Sequence, residues 1–163
     1  MRLKTIKVTI FTLLVILKVD SIYTAKVLAP KPVGSFVEVD GFKVFYRQLG
    51  KGPDILFLHG IGASQYIWRE VAQKLAHNYR LTLIDLPGFG QSTRLPHKNY
   101  GIEAQSKRVI ELTKTLNLKP GFIVGSSMGG ALALWLAREH PKQWKKIVVI
   151  GPATDPTLPK FDF

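Results

Sequence analysis

The feature that most constrains this chain is a five-residue segment at 125–129, Gly-Ser-Ser-Met-Gly, with a serine at its centre. It joins an apolar stretch at 122–124 to a second apolar stretch at 131–137. In that context the G-x-S-x-G spacing predicts a nucleophile elbow, a sharp strand-to-helix turn that lifts Ser127 above the edge of a sheet. Such a turn has room only for small residues on either side, and Gly125 and Gly129 meet that requirement.

Alternating apolar segments predict the fold class. Four short runs are continuously apolar: residues 55–58, 81–84, 122–124 and 147–150. Runs of this kind are typical of strands that are buried on both faces. Apolar residues at helical spacing predict helices at 68–75 and 102–116. Strands that alternate with helices imply an α/β fold, with a mostly parallel open sheet and flanking helices.

Two further expectations concern individual strands. Asp40-Gly41 lies between segments at 36–39 and 43–47 and is a strong signal for a hairpin turn. In the parallel part of the sheet, we expect the strands at 55–58 and 122–124 to be adjacent and central.

The charge of the chain is strongly basic but unevenly distributed. Lys and Arg number 23 against 11 Asp and Glu, which gives a formal net charge of +12. Beyond residue 31 the basic residues are scattered, without a basic helix or interleaved aromatic residues, so we expect a solvated surface and no nucleic-acid partner. The absence of cysteine excludes disulfides and thiolate metal sites.

Residues 1–30 have the pattern of an export or membrane-anchoring signal. A basic start at 1–7 precedes a ten-residue apolar run at 8–17. A transmembrane helix needs about 20 apolar residues, whereas the core of a signal peptide needs about 7–15. We therefore expect a signal peptide or N-terminal membrane anchor at 1–30 and a separate domain at 31–163. The alternative is a cytoplasmic chain in which residues 8–17 pack as a helix.

A glycine-rich loop follows the first buried strand, where it can lie beside the predicted elbow. His59-Gly60-Ile61-Gly62 comes directly after residues 55–58. From there a backbone N–H can point toward Ser127. The N–H groups of Ile61 and Met128 would then form an oxyanion hole for a tetrahedral intermediate.

Three motifs resemble, in their order along the chain, the landmarks of the α/β-hydrolase family. They are LFLHG at 56–60, DLPGFGQS at 85–92 and VGSSMGG at 124–130. The resemblance covers residues from about 36 to 159. It implies Ser127 as the nucleophile, a small-molecule acyl substrate, no metal and no cofactor. We expect the segment at 85–92 to have a structural role, since its glycines permit a tight turn at the carboxyl edge of the sheet.

The sequence around Ser127 is similar to that of particular branches of the family. Ser-Met-Gly-Gly resembles small esterases, monoacylglycerol lipases and the C–C bond hydrolases of aromatic degradation. A serine at this position argues against haloalkane dehalogenases, which use aspartate there.

The printed sequence departs from the family beyond the strand at 147–150. Family members add a lid and two more strands, and these usually carry the catalytic acid and histidine. We therefore expect a truncated α/β-hydrolase core that lacks the lid and the last two strands. Of the four histidines, His59 belongs to the oxyanion loop, His77 and His140 lie at predicted helix ends, and only His97 could approach Ser127. We interpret Asp155, just beyond the last strand, as a loop residue.

These observations predict a serine hydrolase that acts on a carboxylic ester or related acyl substrate. The 163-residue chain is expected to be inactive alone, because its acid and histidine are missing. Two alternatives remain open: a complementing chain could complete a split hydrolase, or the chain could be a non-catalytic exported binding or structural domain. Truncation would also leave residues 147–150 as an exposed apolar edge strand.

Overall fold

The computed structural model describes residues 33–119 and 121–154. The predicted signal or anchor at 1–30, its boundary with the following domain and Asp155 lie outside the described residues.

The described elements alternate between strands and helices after an initial pair of strands. They are β1 (Ser35–Val39), β2 (Phe42–Leu49), β3 (Asp54–Leu58), a 3₁₀ turn (Gln65–Trp68), α1 (Arg69–Leu75), β4 (Arg80–Ile84), α2 (Ile102–Thr115), β5 (Gly121–Ser126), α3 (Met128–Glu139) and β6 (Trp144–Ile150). No helix among the residues described is long and apolar enough to cross a membrane.

The six strands form one mixed sheet in the order β1-β2-β4-β3-β5-β6. β2 runs antiparallel to both β1 and β4, while β4, β3, β5 and β6 are parallel. The predicted α/β fold with a mostly parallel sheet is therefore confirmed. β3 pairs directly with β5, with Ile55 opposite Phe122, so the predicted adjacency of these two strands is also confirmed.

The hairpin between β1 and β2 forms as predicted at Asp40-Gly41. Both residues have positive φ, 48° for Asp40 and 78° for Gly41. Two successive residues with positive φ are what a two-residue type I′ turn requires, and its twist matches that of the strands. Val39 and Phe42 are paired across the turn.

Successive side chains of β3 enter opposite faces of the sheet, which gives the molecule two apolar layers. Leu56 and Leu58 pack with residues of α2 and α3, such as Leu112 and Leu132. Ile55 and Phe57 pack on the other face with Trp68 and Ala72. Helices on both faces explain why every residue of β3 is buried.

A buried carboxylate fixes the N-terminal end of β3. Asp54 is 6% exposed and forms an ion pair with Arg80, the first residue of β4. Arg80 Nη2 lies 2.6 Å from Asp54 Oδ2, and the backbone N–H of Lys119 donates to the same oxygen at 2.6 Å. Burial opposes ionisation of Asp54, but the hydrogen bonds from Arg80 and Lys119 outweigh it and lower its pKa. The carboxylate thus joins β3, β4 and the chain before β5.

The prediction of a strand buried on both faces at 147–150 is wrong. β6 is the edge strand of the described sheet and pairs there only with β5. Val148 and Ile150 are 52% and 53% exposed. Apolar side chains of this kind are normally buried by a neighbouring strand or helix, and the described residues leave about half of each exposed. The expected exposed apolar edge is thus present.

Candidate active site

Ser127 lies between the end of β5 and the start of α3, in a backbone conformation that few non-glycine residues adopt. Its φ is 51° and its ψ is −119°. Hydrogen bonds on both sides hold this conformation: the Ser127 N–H donates to Ile150 O at 2.9 Å, and Ser127 O accepts from Gly130 N at 2.9 Å. The residue is exposed at the carboxyl end of the parallel strands. The geometry is that of a nucleophile elbow, with its serine presented above the sheet edge.

The two glycines of the motif are required by close backbone approach. A Cβ at Gly125 would overlap the carbonyl oxygen of Gly129. A Cβ at Gly129 would overlap the carbonyl oxygens of Leu58 and His59. The turn therefore packs directly against the end of β3, and any side chain at either position would displace Ser127.

The glycine-rich loop after β3 lies beside Ser127. A Cβ at Gly60 would lie 3.0 Å from Ser127 Cβ and 3.5 Å from Ser127 Oγ. The next residue, Ile61, donates no hydrogen bond from its N–H to a described residue. Met128 is the first residue of α3, so its N–H has no partner within the helix. Neither amide is therefore paired within the described residues, and Met128 directly follows Ser127 in the chain.

His59 is fully buried and fixes the start of this loop. Its Nδ1 lies 2.7 Å from Gly60 O, and its Nε2 lies 3.0 Å from Leu86 N. Because Gly60 O can only accept and Leu86 N–H can only donate, Nδ1 carries the proton and Nε2 is the acceptor. Burial lowers the pKa of His59, and the Gly60 hydrogen bond and the charge of Asp85 oppose that effect. The neutral ring therefore joins the loop after β3 to the backbone at Leu86 and has a structural role.

Asp85 connects the same loop to the glycine-rich segment that follows β4. Its Oδ1 accepts from Gln65 N at 2.6 Å, and its Oδ2 accepts from Gln91 N at 2.8 Å. A Cβ at Gly90 would overlap this carboxylate, and Gly90 has φ of 56°. The carboxylate is buried, so its two backbone donors hold both loops in fixed positions.

The sequence predicted a structural role for residues 85–92 but missed this connection. Asp85 and Gln65 are 20 positions apart and belong to different motifs. The available signal was a carboxylate directly after a buried strand, followed by two glycines.

None of the four histidines of the chain hydrogen-bonds to Ser127. His59 is occupied by Gly60 and Leu86. His97 is exposed in the loop before α2, His77 follows α1, and His140 caps the C-terminus of α3. Ser127 Oγ itself has no hydrogen-bond partner among the described residues. Within the described part of the chain, Ser127 therefore lies beside the Gly60 loop and at the start of α3, without a histidine bonded to it.

Comparison with known proteins agrees with this geometry. A family model described as alpha/beta hydrolase fold matches residues 53–163. The pimeloyl-[acyl-carrier protein] methyl ester esterase of Aeromonas salmonicida is 34% identical over 109 residues, which cover 66% of this chain and 41% of the esterase. The chain spans less than half the length of the curated relatives that it matches.

Solved structures resemble the chain as well, and one of them does so over nearly its whole length. The structure of a bacterial membrane phospholipase A matches with a TM-score of 0.76 and 26% identity, over 96% of this chain and 55% of that one. A putative lipase of Acinetobacter baumannii matches with a TM-score of 0.71 and 28% identity, over 74% of this chain and 41% of that one.

Proposed function

Because this chain belongs to the α/β-hydrolase fold family, we propose that it functions as a serine hydrolase on carboxylic esters or related small acyl substrates. The observation that carries the proposal is the position of Ser127, at positive φ and in contact with the Gly60 loop. Similarity to an esterase and to a putative lipase supports an acyl substrate.

The proposed chemistry assigns a role to each group at the elbow. Ser127 Oγ attacks the carbonyl carbon of the ester while its proton passes to a base. The N–H groups of Ile61 and Met128 stabilise the oxyanion that forms. One such donor accounts for about 10²–10³ in rate in well-studied enzymes. Collapse of the intermediate expels the alcohol with a proton and leaves an acyl group on Ser127, which water then removes.

Gly125 and Gly129 support this chemistry indirectly. They allow the end of β5, the start of α3 and the end of β3 to approach closely enough to keep Ser127 at the sheet edge. The same contacts hold the Met128 amide next to the serine.

The base and its supporting acid come, in this proposal, from outside the 163 residues shown. All four histidines lie in the described ranges, and none reaches Ser127 by a hydrogen bond. An unactivated serine hydroxyl is a poor nucleophile at neutral pH. We therefore expect these residues alone to be weakly reactive, and expect a further segment or a complementing chain to supply the histidine and the acid.

The place of action is a second part of the proposal. The basic start and apolar run at 1–30 favour export or anchoring at a membrane, and similarity to a membrane phospholipase A is consistent with that. Fusion of residues 1–30 to a reporter, followed by cell fractionation, tests it. A reporter found wholly in the cytoplasmic fraction would refute the membrane assignment.

The function is tested by completing the chain. The C-terminal part of the Aeromonas esterase, fused after Phe163 or added as a second chain, should give hydrolysis of a short p-nitrophenyl ester. Ser127→Ala is the control and should abolish that activity. If the completed protein folds but does not hydrolyse any of a series of esters, the non-catalytic alternative is favoured.

A further inference from the structure

A cavity that the proposed hydrolase chemistry does not use lies in the loop before α2. It has a volume of about 400 Å³ and is lined by Arg94, Leu95, Pro96, His97, Lys98 and Tyr100. Small-molecule sites in proteins usually enclose about 300–1,000 Å³, so the space suits a small ligand.

Hydrogen bonds hold the loop around this cavity in one conformation. The Tyr100 hydroxyl accepts from Leu95 N at 2.8 Å and donates to Leu95 O at 2.8 Å, which closes the loop into a ring. Arg108, on α2, donates from Nη1 to Asn99 O at 2.7 Å. His97 has φ of 61° within the closed ring. A loop fixed before binding loses little conformational freedom when a ligand enters.

The charge of the lining is positive. Arg94 and Lys98 are cationic, and no acidic side chain is among the residues that line the cavity. The carboxylate of Asp40 lies beside Lys98, with 3.0 Å between Lys98 Nζ and Asp40 Oδ1, but it also pairs with Arg108 at 2.8 Å. Two cations therefore share one carboxylate. Arg94 makes no hydrogen bond or ion pair with another described residue, and its guanidinium is available to a ligand.

We propose that this cavity binds a phosphate-bearing anion, with Arg94 as its principal contact. A guanidinium matches two phosphate oxygens with two parallel N–H donors, while Lys98, which also lines the cavity, adds a positive charge. A bare phosphate does not fill 400 Å³, and Leu95 and Pro96 offer apolar surface to an organic substituent. The ligand is therefore a phosphate ester, either soluble or in a lipid headgroup. The inference is independent of the chemistry assigned to Ser127.

Equilibrium dialysis of the full chain against labelled inorganic phosphate, at constant ionic strength, tests the site. We expect saturable binding of one phosphate per chain and a loss of affinity of about tenfold or more in Arg94→Gln. Arg94→Lys keeps the positive charge but not the two parallel N–H donors, so its phosphate affinity should lie between those of the parent chain and Arg94→Gln. Arg138→Gln, which removes an exposed arginine of α3 outside the cavity, should bind like the parent chain. Equal binding by the parent and Arg94→Gln would identify an adventitious ion only and overturn the proposal.

Vesicle flotation distinguishes the two sources of phosphate. Phosphatidylcholine vesicles with and without phosphatidic acid are compared for the parent chain and Arg94→Gln, both of which keep residues 1–30. Flotation that needs phosphatidic acid and is weakened in Arg94→Gln assigns the site to a lipid headgroup. Because residues 1–30 can bring both chains to the vesicles, the soluble assignment needs a second result in the dialysis experiment. Equal flotation of the two chains, together with displacement of labelled phosphate by glycerol 3-phosphate but not by phosphatidic acid vesicles, assigns the site to a soluble phosphate ester.

Discussion

Gly60 lies directly against Ser127, so that a Cβ added to Gly60 would lie 3.0 Å from Ser127 Cβ. The contact joins two parts of the sequence that are 67 positions apart, the loop after β3 and the turn after β5. It follows from the pairing of β3 with β5, because neighbouring parallel strands bring their carboxyl ends to one edge of the sheet. The separation between the serine and the proposed oxyanion donors is set by this contact.

Replacement of Gly60 by alanine should therefore reduce reactivity more than stability. The added methyl group must push the loop or Ser127 aside by a few tenths of an ångström, and small displacements of reacting groups can cost up to about 10²-fold in rate. Ester hydrolysis by the completed protein measures the effect. Gly101→Ala, on an exposed residue before α2, is the matched control and should retain parental activity. An unchanged rate in Gly60→Ala would mean that the loop does not position the serine.

Alanine at the elbow glycine Gly125 should destabilise the protein more than alanine at Gly130, which lies just beyond the motif. Gly125→Ala places a methyl group on the Gly129 carbonyl oxygen and should lower the free energy of unfolding by about 1–3 kcal/mol or more. Gly130→Ala is a matched control in α3, because its nearest neighbour, Pro152, would be 3.1 Å away. There a gain in helix propensity of about 1 kcal/mol offsets the crowding. Urea denaturation of both variants should show a clear difference, and equal midpoints would contradict the close packing of the turn.

The buried His59 predicts that stability falls in mild acid. Burial lowers its folded pKa below the ordinary value of 6.5, so the unfolded chain binds a proton more readily than the folded one. Stability is therefore full above pH 6.5 and declines as pH falls below it, by up to about 1.4 kcal/mol per pH unit. The free energy of unfolding, measured from pH 7.5 to pH 5, should follow this slope. His59→Gln should be less stable at pH 7.5 and show a weaker dependence. An equal slope in the variant would assign the effect to other groups.

The ion pair at the start of β3 should contribute more than an exposed one. Asp54→Asn leaves Arg80 without its carboxylate and weakens the bond from Lys119 N–H, so we expect a loss of about 2–4 kcal/mol in unfolding free energy. The Lys107–Glu103 pair on α2 is largely exposed, and Glu103→Gln should cost no more than about 0.5 kcal/mol. Chemical denaturation near pH 7 compares the two. Because the pKa of Asp54 is lowered, its contribution should disappear as pH falls below 3.8.

Much of the fold could be predicted because its signals are local. Asp40-Gly41 specifies a two-residue hairpin by its backbone preferences alone. The apolar run at 55–58 specifies a buried strand, and the run at 122–124 specifies a strand in which Ile123 is buried and its two neighbours are half-buried. The G-x-S-x-G spacing at 125–129 predicted the sharp turn at Ser127, whose φ is 51°, for the same reason: few backbone conformations can form such a turn.

The sequence was less informative where contacts are distant. An apolar run such as 147–150 indicates that the strand packs against another element. It does not indicate whether that element lies within the described residues, and in the structure β6 is exposed. The bonds from Asp85 to Gln65 and Gln91 depend on how two loops meet in space. No sequence pattern in either loop predicts the contact between them.

Labelling by a fluorophosphonate probe, mapped to its residue by peptide mass spectrometry, tests the central claim most directly. The probe reacts with serines that an adjacent base activates. Our account predicts weak labelling of the 163-residue chain, and strong labelling at Ser127 once the C-terminal part of a related hydrolase is supplied, with none in Ser127→Ala. Strong labelling of the isolated chain that disappears in Ser127→Ala would show that a base is already present, and His97 would be the first residue to replace. Absence of labelling at Ser127 in the folded, completed protein would contradict the assignment of this elbow as a catalytic site.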